Sequence, residues 1–463
     1  MSVSLDLASA SLAMTGTVHG LNVGFAGVST DSRKLAPGEL FIALRGDNFD
    51  GHLFLAQAKS RGAAAAVVAA DAMPSLAAVD LPLIAVADTR LALGRLAAEW
   101  RSRFTPPLIA VTGSNGKTTT KEMIACILKA AFGSDVLATQ GNLNNDIGLP
   151  LTLLGLNAAH RAAIVEMGMN HPGEIAYLAE IARPTVALVT NVQRAHLSGM
   201  GSLETIATEK GAVYEKLAAT GVAVFNAVDE WAALWRAQSA GRRVVTFALE
   251  LPADVRGQCT LHGLETRLTV SVAGEQFEVS LALPGLHNAR NAIAAAAAAL
   301  AAGVPMAAVR DGLNAFRGVK GRLQRLRGLN DAALLDDTYN ANPDSVRAGI
   351  DVLAATVGKK IFVMGDMGEL GSMTGQLHDE IGGYAKSQGV DRLFAVGDSS
   401  QLAARNFGAG GRHFRKIEDL ILALLDELTP ETTVLVKGSR FMRMERVVQA
   451  IAAPLAEGNQ PCC

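Results

Sequence analysis

The sequence carries no excess of charge of either sign. Among its 463 residues, 42 are Lys or Arg and 44 are Asp or Glu, so the formal net charge is −2. Proteins that bind nucleic acid or an anionic membrane through their overall field carry a basic excess. The balance therefore argues against nucleic acid and membrane surfaces as partners.

The sequence also lacks a long hydrophobic run. Its longest apolar stretch, residues 292–303, is mostly alanine, whereas a helix that crosses a bilayer needs about 20 apolar residues. Residues 1–20 show no basic segment followed by an apolar core, which is the pattern of a secretory signal. We therefore expect a cytoplasmic protein without membrane insertion.

Cysteine is scarce. The chain has four cysteines, without the paired spacing that binds zinc. A disulfide-dense scaffold is not expected in a chain of this length, because 49% of its residues are hydrophobic and can form cores. Since 463 residues exceed the size over which one core usually grows, we expect two or three domains.

Pattern changes divide the chain into three regions and predict a three-domain α/β protein. Residues 1–105 mix short apolar runs with turns and end at the linker Pro106-Pro107, which predicts a small α/β domain. Residues 106–317 alternate strand signals with helical patterns, which predicts a mostly parallel sheet wrapped by helices. Residues 318–463 repeat that rhythm, which predicts an open Rossmann-like sheet.

One segment of the middle region departs from the strand–helix rhythm. Apolar and polar residues alternate over residues 268–272 and again over 277–281, on either side of Ala273-Gly274-Glu275. Alternation on both sides of a glycine turn predicts an antiparallel hairpin. The central sheet is therefore expected to carry added antiparallel strands.

The strongest chemical signal is the segment 112–119, Thr-Gly-Ser-Asn-Gly-Lys-Thr-Thr, between a predicted strand and a helical pattern. Small residues let backbone N–H groups converge on phosphate, and the helix adds its positive end. Lys117 would reach the β and γ phosphates of ATP, and the Thr118 hydroxyl would complete a Mg²⁺ shell. The common P-loop has glycine where this chain has Val111, so the loop is a shortened variant; a plain glycine turn is the alternative. The predicted ATP-binding residues of the loop are Gly113, Ser114, Asn115, Gly116, Lys117, Thr118 and Thr119.

Two further residues follow predicted strands of the same sheet. Glu166 ends an apolar run and precedes Met167-Gly168, a position suited to a Mg²⁺ ligand. A solvated acid at a strand end is the alternative. His196 follows the next run, but Mg²⁺ prefers oxygen ligands, so its position alone favours a local hydrogen bond over a metal role for that histidine.

Together these motifs resemble the Mur ligases, three-domain enzymes that build the peptide of bacterial peptidoglycan. The shortened loop is shared with their folylpolyglutamate synthetase relatives. The resemblance implies that Glu166 and His196, with Thr118, bind two Mg²⁺ ions. It also implies that Lys210 is carbamylated and becomes an oxygen-bearing metal ligand; an exposed helical lysine is the alternative.

The resemblance extends to the rest of the ATP site. Residues 283–291, Leu-Pro-Gly-Leu-His-Asn-Ala-Arg-Asn, are similar to a family motif at the adenine end of ATP, which implies that role for His287, Asn288 and Asn291. Helix capping is the alternative for the two asparagines. Arg322 and Asp337 resemble family residues that contact the γ phosphate and the ribose. Catalytic roles are implied for Lys117, His196, Lys210 and Arg322.

Other segments resemble the family's substrate sites. Residues 29–33 look like the N-terminal UDP-binding domain of two of the ligases, and 139–145 look like a loop that faces the sugar peptide. Residues 337–345 and 365–371 resemble the type that adds D-alanyl-D-alanine, and the Asp-Asn-Pro-Arg signature of the diaminopimelate-adding type is absent. The implied substrate-binding residues are Ser29, Asp31, Ser32, Arg33, Asn142, Asn145, Tyr339 and Asn340. The neighbouring Lys437 and Arg440 receive no catalytic role.

The resemblance therefore implies a monomeric, ATP-dependent ligase that joins D-alanyl-D-alanine to a UDP-N-acetylmuramoyl tripeptide through an acyl phosphate. A diaminopimelate- or lysine-adding ligase of the same family and a folylpolyglutamate synthetase are the enzyme alternatives. A non-catalytic nucleotide-binding protein is the alternative of another class. It would have lost metal ligands that this chain retains, namely Glu166, His196 and Lys210.

Overall fold

The computed structural model describes residues 4–194 and 197–454, without the side chains of residues 197 and 198. Within these ranges the main sheets have five, nine and six strands, and two two-stranded ribbons accompany them. The strands are β1 (Ser4–Asp6), β2 (Thr17–His19), β3 (Gly24–Ala26), β4 (Val28–Ser29), β5 (Leu40–Ile42), β6 (Arg45–Gly46), β7 (Phe49–Asp50), β8 (Ala65–Ala69), β9 (Leu83–Val86), β10 (Leu108–Thr112), β11 (Val136–Ala138), β12 (Ala162–Glu166), β13 (Val186–Val189), β14 (Val222–Asn226), β15 (Arg243–Leu249), β16 (Val255–His262), β17 (Glu265–Val272), β18 (Glu275–Leu281), β19 (Gln324–Arg327), β20 (Ala333–Asp337), β21 (Lys359–Gly365), β22 (Arg392–Val396), β23 (Gly411–Phe414) and β24 (Thr432–Lys437).

Helices connect and cover the strands. The α-helices are α1 (Leu7–Met14), α2 (Leu55–Ser60), α3 (Thr89–Ser102), α4 (Lys117–Phe132), α5 (Gly148–Leu154), α6 (Glu174–Ala182), α7 (Leu197–Met200), α8 (Leu203–Glu215), α9 (Ala232–Gln238), α10 (Leu286–Ala301), α11 (Met306–Ala315), α12 (Pro343–Ala354), α13 (Thr374–Ser387), α14 (Ser400–Phe407), α15 (Ile417–Leu425) and α16 (Glu445–Ile451). Short 3-10 helices cover Gly51–Phe54, Ala70–Leu76, Leu329–Asp331, Gly371–Met373 and Arg440–Met442. No helix in the described ranges is both long and apolar enough to cross a membrane.

The N-terminal sheet is joined closely to the central region. Its strand order is β2-β9-β8-β5-β4, with β2 antiparallel to β9 and the other neighbours parallel. The following helix α3 packs against α5 and α6 of the central region. There the Trp100 indole donates to the Leu156 carbonyl at 3.0 Å, and Arg101 Nε donates to the Ala182 carbonyl at 3.0 Å. A single hydrophobic cluster therefore spans both regions.

The central sheet confirms the predicted mostly parallel arrangement. Its strand order is β11-β12-β10-β13-β14-β15-β16-β17-β18, and every neighbouring pair up to β15–β16 is parallel. The predicted hairpin is also confirmed, because β17 pairs antiparallel with β18. Its turn residues Ala273 and Gly274 have φ angles of 51° and 86°, which is the left-handed conformation expected of tight hairpin turns.

The C-terminal sheet is the predicted second open sheet. Its strand order is β19-β20-β24-β21-β22-β23. The edge strand β19 pairs antiparallel with β20, and the other neighbouring pairs are parallel. The three main sheets thus follow one another along the chain, with α3 and α11 between them. The domain limits at residues 105/106 and 317/318 lie in the connections after these helices and stay a prediction.

Candidate active site

A large cleft, with a volume of about 1370 Å³, is lined by residues of both the central and the C-terminal sheet regions. The central region contributes the loop before α4, the ends of β12 to β14 and the beginning of α10. The C-terminal region contributes residues 337–345, 368–370 and 439–441. Polar groups from distant parts of the chain therefore meet in one concave space, as is usual at open α/β sheets.

The shortened loop between β10 and α4 depends on its glycines. Gly113 has φ 147° and Gly116 has φ 79°. A Cβ atom at Gly113 would lie 1.9 Å from Thr190 Oγ1, and one at Gly116 would lie 2.4 Å from Asn291 Oδ1. Since Gly116 is the residue before α4 and has no side chain to cap the helix, the first-turn N–H groups remain for an anion.

The loop is held by the segment that follows β13. The Ser114 N–H donates to the Asn191 carbonyl at 2.9 Å, and the Asn115 N–H donates to Asn191 Oδ1 at 3.0 Å. The Thr190 hydroxyl donates to the Asn115 carbonyl at 2.7 Å. Because β10 and β13 are parallel neighbours, both segments leave the sheet at the same edge, and the loop is rigid before any ligand binds.

Lys117 is the first residue of α4 and lines the cleft. Its ammonium donates to the carbonyls of Gly113 at 2.7 Å and Ser114 at 3.2 Å. Burial lowers the pKa of Lys117, and the charges of Glu166 and Glu369 oppose that shift. The amine thus lies, half-buried, beside the loop that would hold the phosphates.

Glu166 lies next to this loop because β12 pairs parallel with β10, with Glu166 opposite Val111. The side chain is 2% exposed. One oxygen, Oε1, accepts from Asn144 Nδ2 at 2.8 Å, and the backbone N–H donates to Thr139 Oγ1 at 3.0 Å. The other oxygen, Oε2, is buried without a hydrogen-bond partner among the described residues. A buried carboxylate oxygen without a partner is suited to a cation such as Mg²⁺.

The structure describes only some of the predicted metal ligands. Thr118 Oγ1 lies on the same loop, 3.5 Å from Arg322 Nη2. His196 lies outside the described residues, so its predicted role is not tested. Within the described ranges, no group of three His, Cys, Asp or Glu side chains is placed to hold a metal. Of the predicted metal ligands, Glu166 has a buried oxygen without a partner among the described residues, which favours Mg²⁺.

Lys210 is buried on α8 with 1% of its surface exposed, so the interpretation as an exposed helical lysine is wrong. Burial, and then the charge of Lys117, lower the pKa of Lys210 well below its ordinary value, while Glu209 opposes the shift. A buried amine with a second cation nearby is held in its neutral form more readily than an exposed one. The pattern of apolar residues gave no sign of this burial.

The predicted adenine-binding residues cluster at the beginning of α10. Asn288 and Asn291 are 3% and 7% exposed, and all three predicted residues, including His287, line the cleft. Asn288 Nδ2 donates to the Pro284 carbonyl at 2.8 Å, whereas the residue that caps α10 is Gly285. The helix-capping alternative for these asparagines is therefore wrong. Burial, assisted by the charges of Lys437 and Arg290, lowers the pKa of His287 to about 4.

Arg322 and Asp337 enter the cleft from the C-terminal region. The Arg322 guanidinium lies 3.9 Å from the ring centroid of Tyr339, a cation–π contact that orients it toward Thr118. Asp337 accepts from Lys437 Nζ at 2.6 Å and from the Leu323 N–H at 3.1 Å. Lys437 is 3% exposed and lines the cleft together with Arg440, a position that the sequence did not assign to either residue.

Besides the contact between Arg322 and Thr118, two further polar contacts among the described residues join the central and C-terminal regions at the cleft. The side-chain amides of Asn115 and Asn342 exchange hydrogen bonds of 2.7 and 3.2 Å. Arg194 forms an ion pair of 2.6 Å with Asp344, whose carboxylate also accepts from the Arg194 N–H at 2.9 Å. Arg194 was not singled out in the sequence, and Asn342 was noted only as part of the segment 337–345, because each acquires its partner only when remote segments meet.

The predicted substrate residues fall into two sets. Asn145, Tyr339 and Asn340 line the cleft. The remaining residues, Ser29, Asp31, Ser32, Arg33 and Asn142, do not. In the N-terminal set, Arg33 Nε donates to Asp31 Oδ1 at 2.9 Å, and Ser32 Oγ donates to Gln57 Oε1 at 2.7 Å. Their predicted contacts with substrate stay predictions.

The fold and the cleft together define a three-domain, nucleotide-dependent enzyme with a shortened phosphate loop. Three family descriptions match the chain in order: "Mur ligase family, catalytic domain" over residues 24–101, "Mur ligase middle domain" over 111–299, and "Mur ligase, glutamate ligase domain" over 321–440. The chain belongs to the Mur ligase family.

Relatives of known name match nearly the whole chain. It is 40% identical over 455 residues to the UDP-N-acetylmuramoyl-tripeptide–D-alanyl-D-alanine ligase of Escherichia coli (strain K12), covering 97% of this chain and 98% of that protein. A crystal structure of MurF from Acinetobacter baumannii superposes with a TM-score of 0.89 at 34% identity, over 97% and 98% of the two chains. MurF from Thermotoga maritima in complex with ADP gives 0.79 at 26% identity, over 92% and 96%.

Proposed function

We propose that the protein joins D-alanyl-D-alanine to the terminal carboxylate of a UDP-N-acetylmuramoyl tripeptide and converts ATP to ADP and phosphate. One observation carries the proposal. The phosphate loop opens into a cleft shared with the C-terminal region, in a chain that matches a ligase of this specificity over 97% of its length. Such a shared cleft can bring an acid, an amine and a nucleotide together.

The reaction begins with an unreactive carboxylate. The tripeptide carboxylate attacks the γ phosphate of ATP, which gives an acyl phosphate and ADP. The amine of D-alanyl-D-alanine then attacks the acyl carbon, and the tetrahedral intermediate releases phosphate and leaves an amide. Positioning and electrostatics supply most of the catalysis in phosphoryl transfer. Lys117 and Arg322 provide positive charge around the phosphate oxygens, and Asp337 is assigned to the ribose.

We assign Thr118, Glu166 and His196 to two Mg²⁺ ions. The buried Glu166 oxygen without a described partner supports this assignment. When bound, Mg²⁺ would neutralise charge on the phosphate oxygens. Ser29, Asp31, Ser32 and Arg33 are assigned to the UDP end of the substrate, with Asn142 and Asn145 nearer the sugar peptide. ATP is a cytoplasmic metabolite, and we place the reaction in the cytoplasm with a monomeric enzyme.

We further propose that Lys210 is carbamylated. A lysine must be neutral to react with CO₂, and burial favours the neutral amine at this position. The carbamate would replace a buried cation with an oxygen ligand for the metal. A ¹³C carbamate signal after incubation with labelled bicarbonate, lost in Lys210→Arg, supports the modification; a signal that persists in the variant contradicts it.

The alternatives left open by the sequence are not favoured. The full-length match to a D-alanyl-D-alanine ligase argues against a diaminopimelate- or lysine-adding enzyme and against a folylpolyglutamate synthetase. Parallel assays with each amine acceptor separate these activities. A non-catalytic role is disfavoured because Glu166 and Lys210 are both retained and buried.

The decisive experiment is coupled phosphate release. We expect phosphate only when ATP, Mg²⁺, the UDP-muramoyl tripeptide and D-alanyl-D-alanine are all present. Lys117→Ala should lower kcat by at least about 10³-fold, because it removes a charge that the transition state requires. The exposed Lys386→Ala serves as the control for loss of a lysine. Phosphate release by Lys117→Ala at the wild-type rate would exclude the proposed role of the loop.

A further inference from the structure

Lys121 is a buried cation on α4 that the ATP site described above does not use. Its side chain is fully exposed to neither solvent nor cleft, being 0% exposed, whereas lysine is rarely buried unless it is paired. Its Nζ donates to the Thr139 carbonyl at 2.8 Å and forms an ion pair with the carboxylate of Glu122. A buried charge needs such partners because desolvation is costly. Of the two, the Thr139 carbonyl is the partner that lies outside α4.

Thr139 is the residue at which the chain leaves β11 and begins the loop 139–145. It is 1% exposed, and each of its polar groups is engaged. Its N–H donates to the Ile164 carbonyl at 3.0 Å, its hydroxyl accepts from the Glu166 N–H at 3.0 Å, and its carbonyl accepts from Lys121. Two of these contacts go to β12. The third fastens the beginning of the loop to α4.

The loop that begins at Thr139 reaches the cleft. Asn144 and Asn145 line the cleft, and Asn145 is one of the residues predicted to bind the sugar peptide. Asn144 Nδ2 donates to Glu166 Oε1 at 2.8 Å, and the Asn144 carbonyl accepts from the Gly168 N–H at 2.8 Å. The loop is therefore fastened at its first residue and again near its end. Because the first attachment fixes where the loop leaves the sheet, it also sets where these asparagines lie in the cleft.

One helix serves both the phosphate loop and this second loop. Lys117 is the first residue of α4, and Lys121 follows four positions later, a spacing that places both side chains on one side of the helix. The helix is packed against α10 and α11, so it is a firm support. The element whose first turn faces the phosphates thus also holds, through Lys121, the loop predicted to face the sugar peptide.

We propose that Lys121 is a positioning residue for the sugar-peptide substrate. Through the Thr139 carbonyl it holds the loop 139–145 in the place where that loop binds the substrate. This inference rests on the proposed ligase function and deepens it. Lys121 is buried and does not line the cleft, so it acts through the loop and not by contact with a substrate. A positioning residue changes the binding of one substrate, whereas a lysine with a structural role alone changes only stability.

Lys121→Met tests this role, because it keeps a side chain of similar length and removes the ammonium. The Glu122 carboxylate is partly exposed and is left to water. We expect the KM for the UDP-muramoyl tripeptide to rise about tenfold, as for one lost hydrogen bond to a charged group, with the KM for ATP at saturating Mg²⁺ within about twofold of the wild type. The dissociation constant of the tripeptide, measured by calorimetry with a non-hydrolysable ATP analogue, should rise by the same factor and does not depend on turnover.

Two control variants on α4 separate positioning from stability. Ile124→Ala removes packing from a fully buried residue but no hydrogen-bond donor. It should lower the midpoint of thermal unfolding and keep the wild-type KM for the tripeptide. Lys129→Met removes an exposed lysine of the same helix and should also leave this KM unchanged.

The Thr139 hydroxyl offers a second test that removes no buried charge. Thr139→Val keeps the shape of the side chain but cannot accept from the Glu166 N–H, whereas Thr139→Ser retains the hydroxyl. We expect the Val variant to raise the tripeptide KM about fivefold and the Ser variant to restore it. If Lys121→Met does not fold, this pair decides, and equal tripeptide KM values in the two variants would overturn the inference.

The remaining outcomes are distinct. A wild-type KM and dissociation constant for the tripeptide in Lys121→Met would overturn the inference. An equal rise in Ile124→Ala would do the same, because the change would then follow stability and not the lost donor. Wild-type protein that releases no phosphate with all substrates present would instead contradict the proposed function itself.

Discussion

At the scale of single residues, burial decides the chemistry of the cleft. Lys210 and Lys437 are buried and Lys117 is half-buried, and desolvation lowers the pKa of each. Their surroundings differ. Lys437 is paired with Asp337 at 2.6 Å, whereas Lys210 has the cation of Lys117 nearby. A buried lysine is therefore suited to pairing with a carboxylate at position 437 and to chemical modification at position 210.

His287 gives a pH-dependent prediction. Its pKa is about 4 in the folded protein, against about 6.5 in an unfolded chain. Between these pH values the unfolded chain binds a proton that the folded protein does not. The free energy of unfolding should therefore fall by at most about 3 kcal/mol as the pH drops from about 6.5 to 4. The folded value reflects burial first, then Lys437 and Arg290, with Asp351 opposing.

Chemical denaturation across this pH range provides the measurement. His287→Gln should show a shallower loss of stability toward acid than the wild type, because glutamine does not titrate. Other groups that titrate here, such as Asp229 and Asp336 with raised pKa values, are common to both proteins. Parallel stability curves would contradict the prediction.

At the scale of elements, parallel strand pairing brings the site together. The order β12-β10-β13 places Glu166, the phosphate loop and the Thr190–Gln193 segment at one edge of the sheet. The helix α12 approaches from the other side of the cleft. Its cap residue Asn342 accepts from the Ser345 N–H at 2.9 Å, and Ser345 Oγ accepts in return from the Asn342 N–H at 3.0 Å. The same Asn342 amide contacts Asn115, so one side chain caps a helix and joins two regions.

The two tasks of Asn342 can be separated by substitution. Asn342→Ala should lower the free energy of unfolding by about 1 to 2 kcal/mol, because it removes the helix cap. Asn342→Asp keeps a capping oxygen but loses the amide that donates to Asn115. It should retain most of the stability while the KM for ATP rises a few-fold. Urea denaturation and steady-state kinetics measure the two effects; an Asp variant as unstable as the Ala variant would argue against the cap.

At the scale of the whole molecule, the hydrophobic cores do not follow the boundaries between the three main sheets. The cluster that contains Leu93 and Leu96 of α3 also contains Leu153 and Ile181 of the central region. Among the described residues, the buried members of the C-terminal clusters all come from that region, and the partly buried Leu264 of the central region packs against one of these clusters. The contacts at the cleft between the central and C-terminal regions are polar. Residues 4–315 are therefore expected to behave as one cooperative unit and the C-terminal region as another.

Scanning calorimetry should accordingly show two unfolding transitions rather than three. Trp100→Ala should lower the midpoint of one transition, because it removes about 3 to 5 kcal/mol of buried contacts, and leave the other transition in place. The C-terminal substitution Phe394→Ala should shift the second transition instead. A separate transition for the N-terminal sheet, or a shift of both transitions by Trp100→Ala, would contradict the shared core.

Much of this architecture could be predicted because it depends on neighbours along the chain. Hydrophobic periodicity and the placement of glycines act over only a few residues. They were enough to predict the strand at 108–111, the hairpin around 273–275 and the phosphate loop. The position at a strand end supplied Glu166 as a site residue, and family resemblance supplied Arg322 and Asp337. Neither supplied their partners. Asn144 and Asp344 lie in the segments 139–145 and 337–345 that the resemblance singled out, but neither they nor Ser439 carry a local signal that shows which residues they contact.

By itself, the sequence indicated the order of the elements, the division into three regions and the glycine-bearing loop that we propose to hold phosphate. Only the tertiary structure decided that Lys210 is buried and that Lys437 pairs with Asp337. Lys437 and Asp337 are 100 residues apart, and Arg194 and Asp344 are 150 apart. The physical reason is that hydrogen bonding and desolvation depend on distance in space, which strand order and register set, and not on distance along the chain.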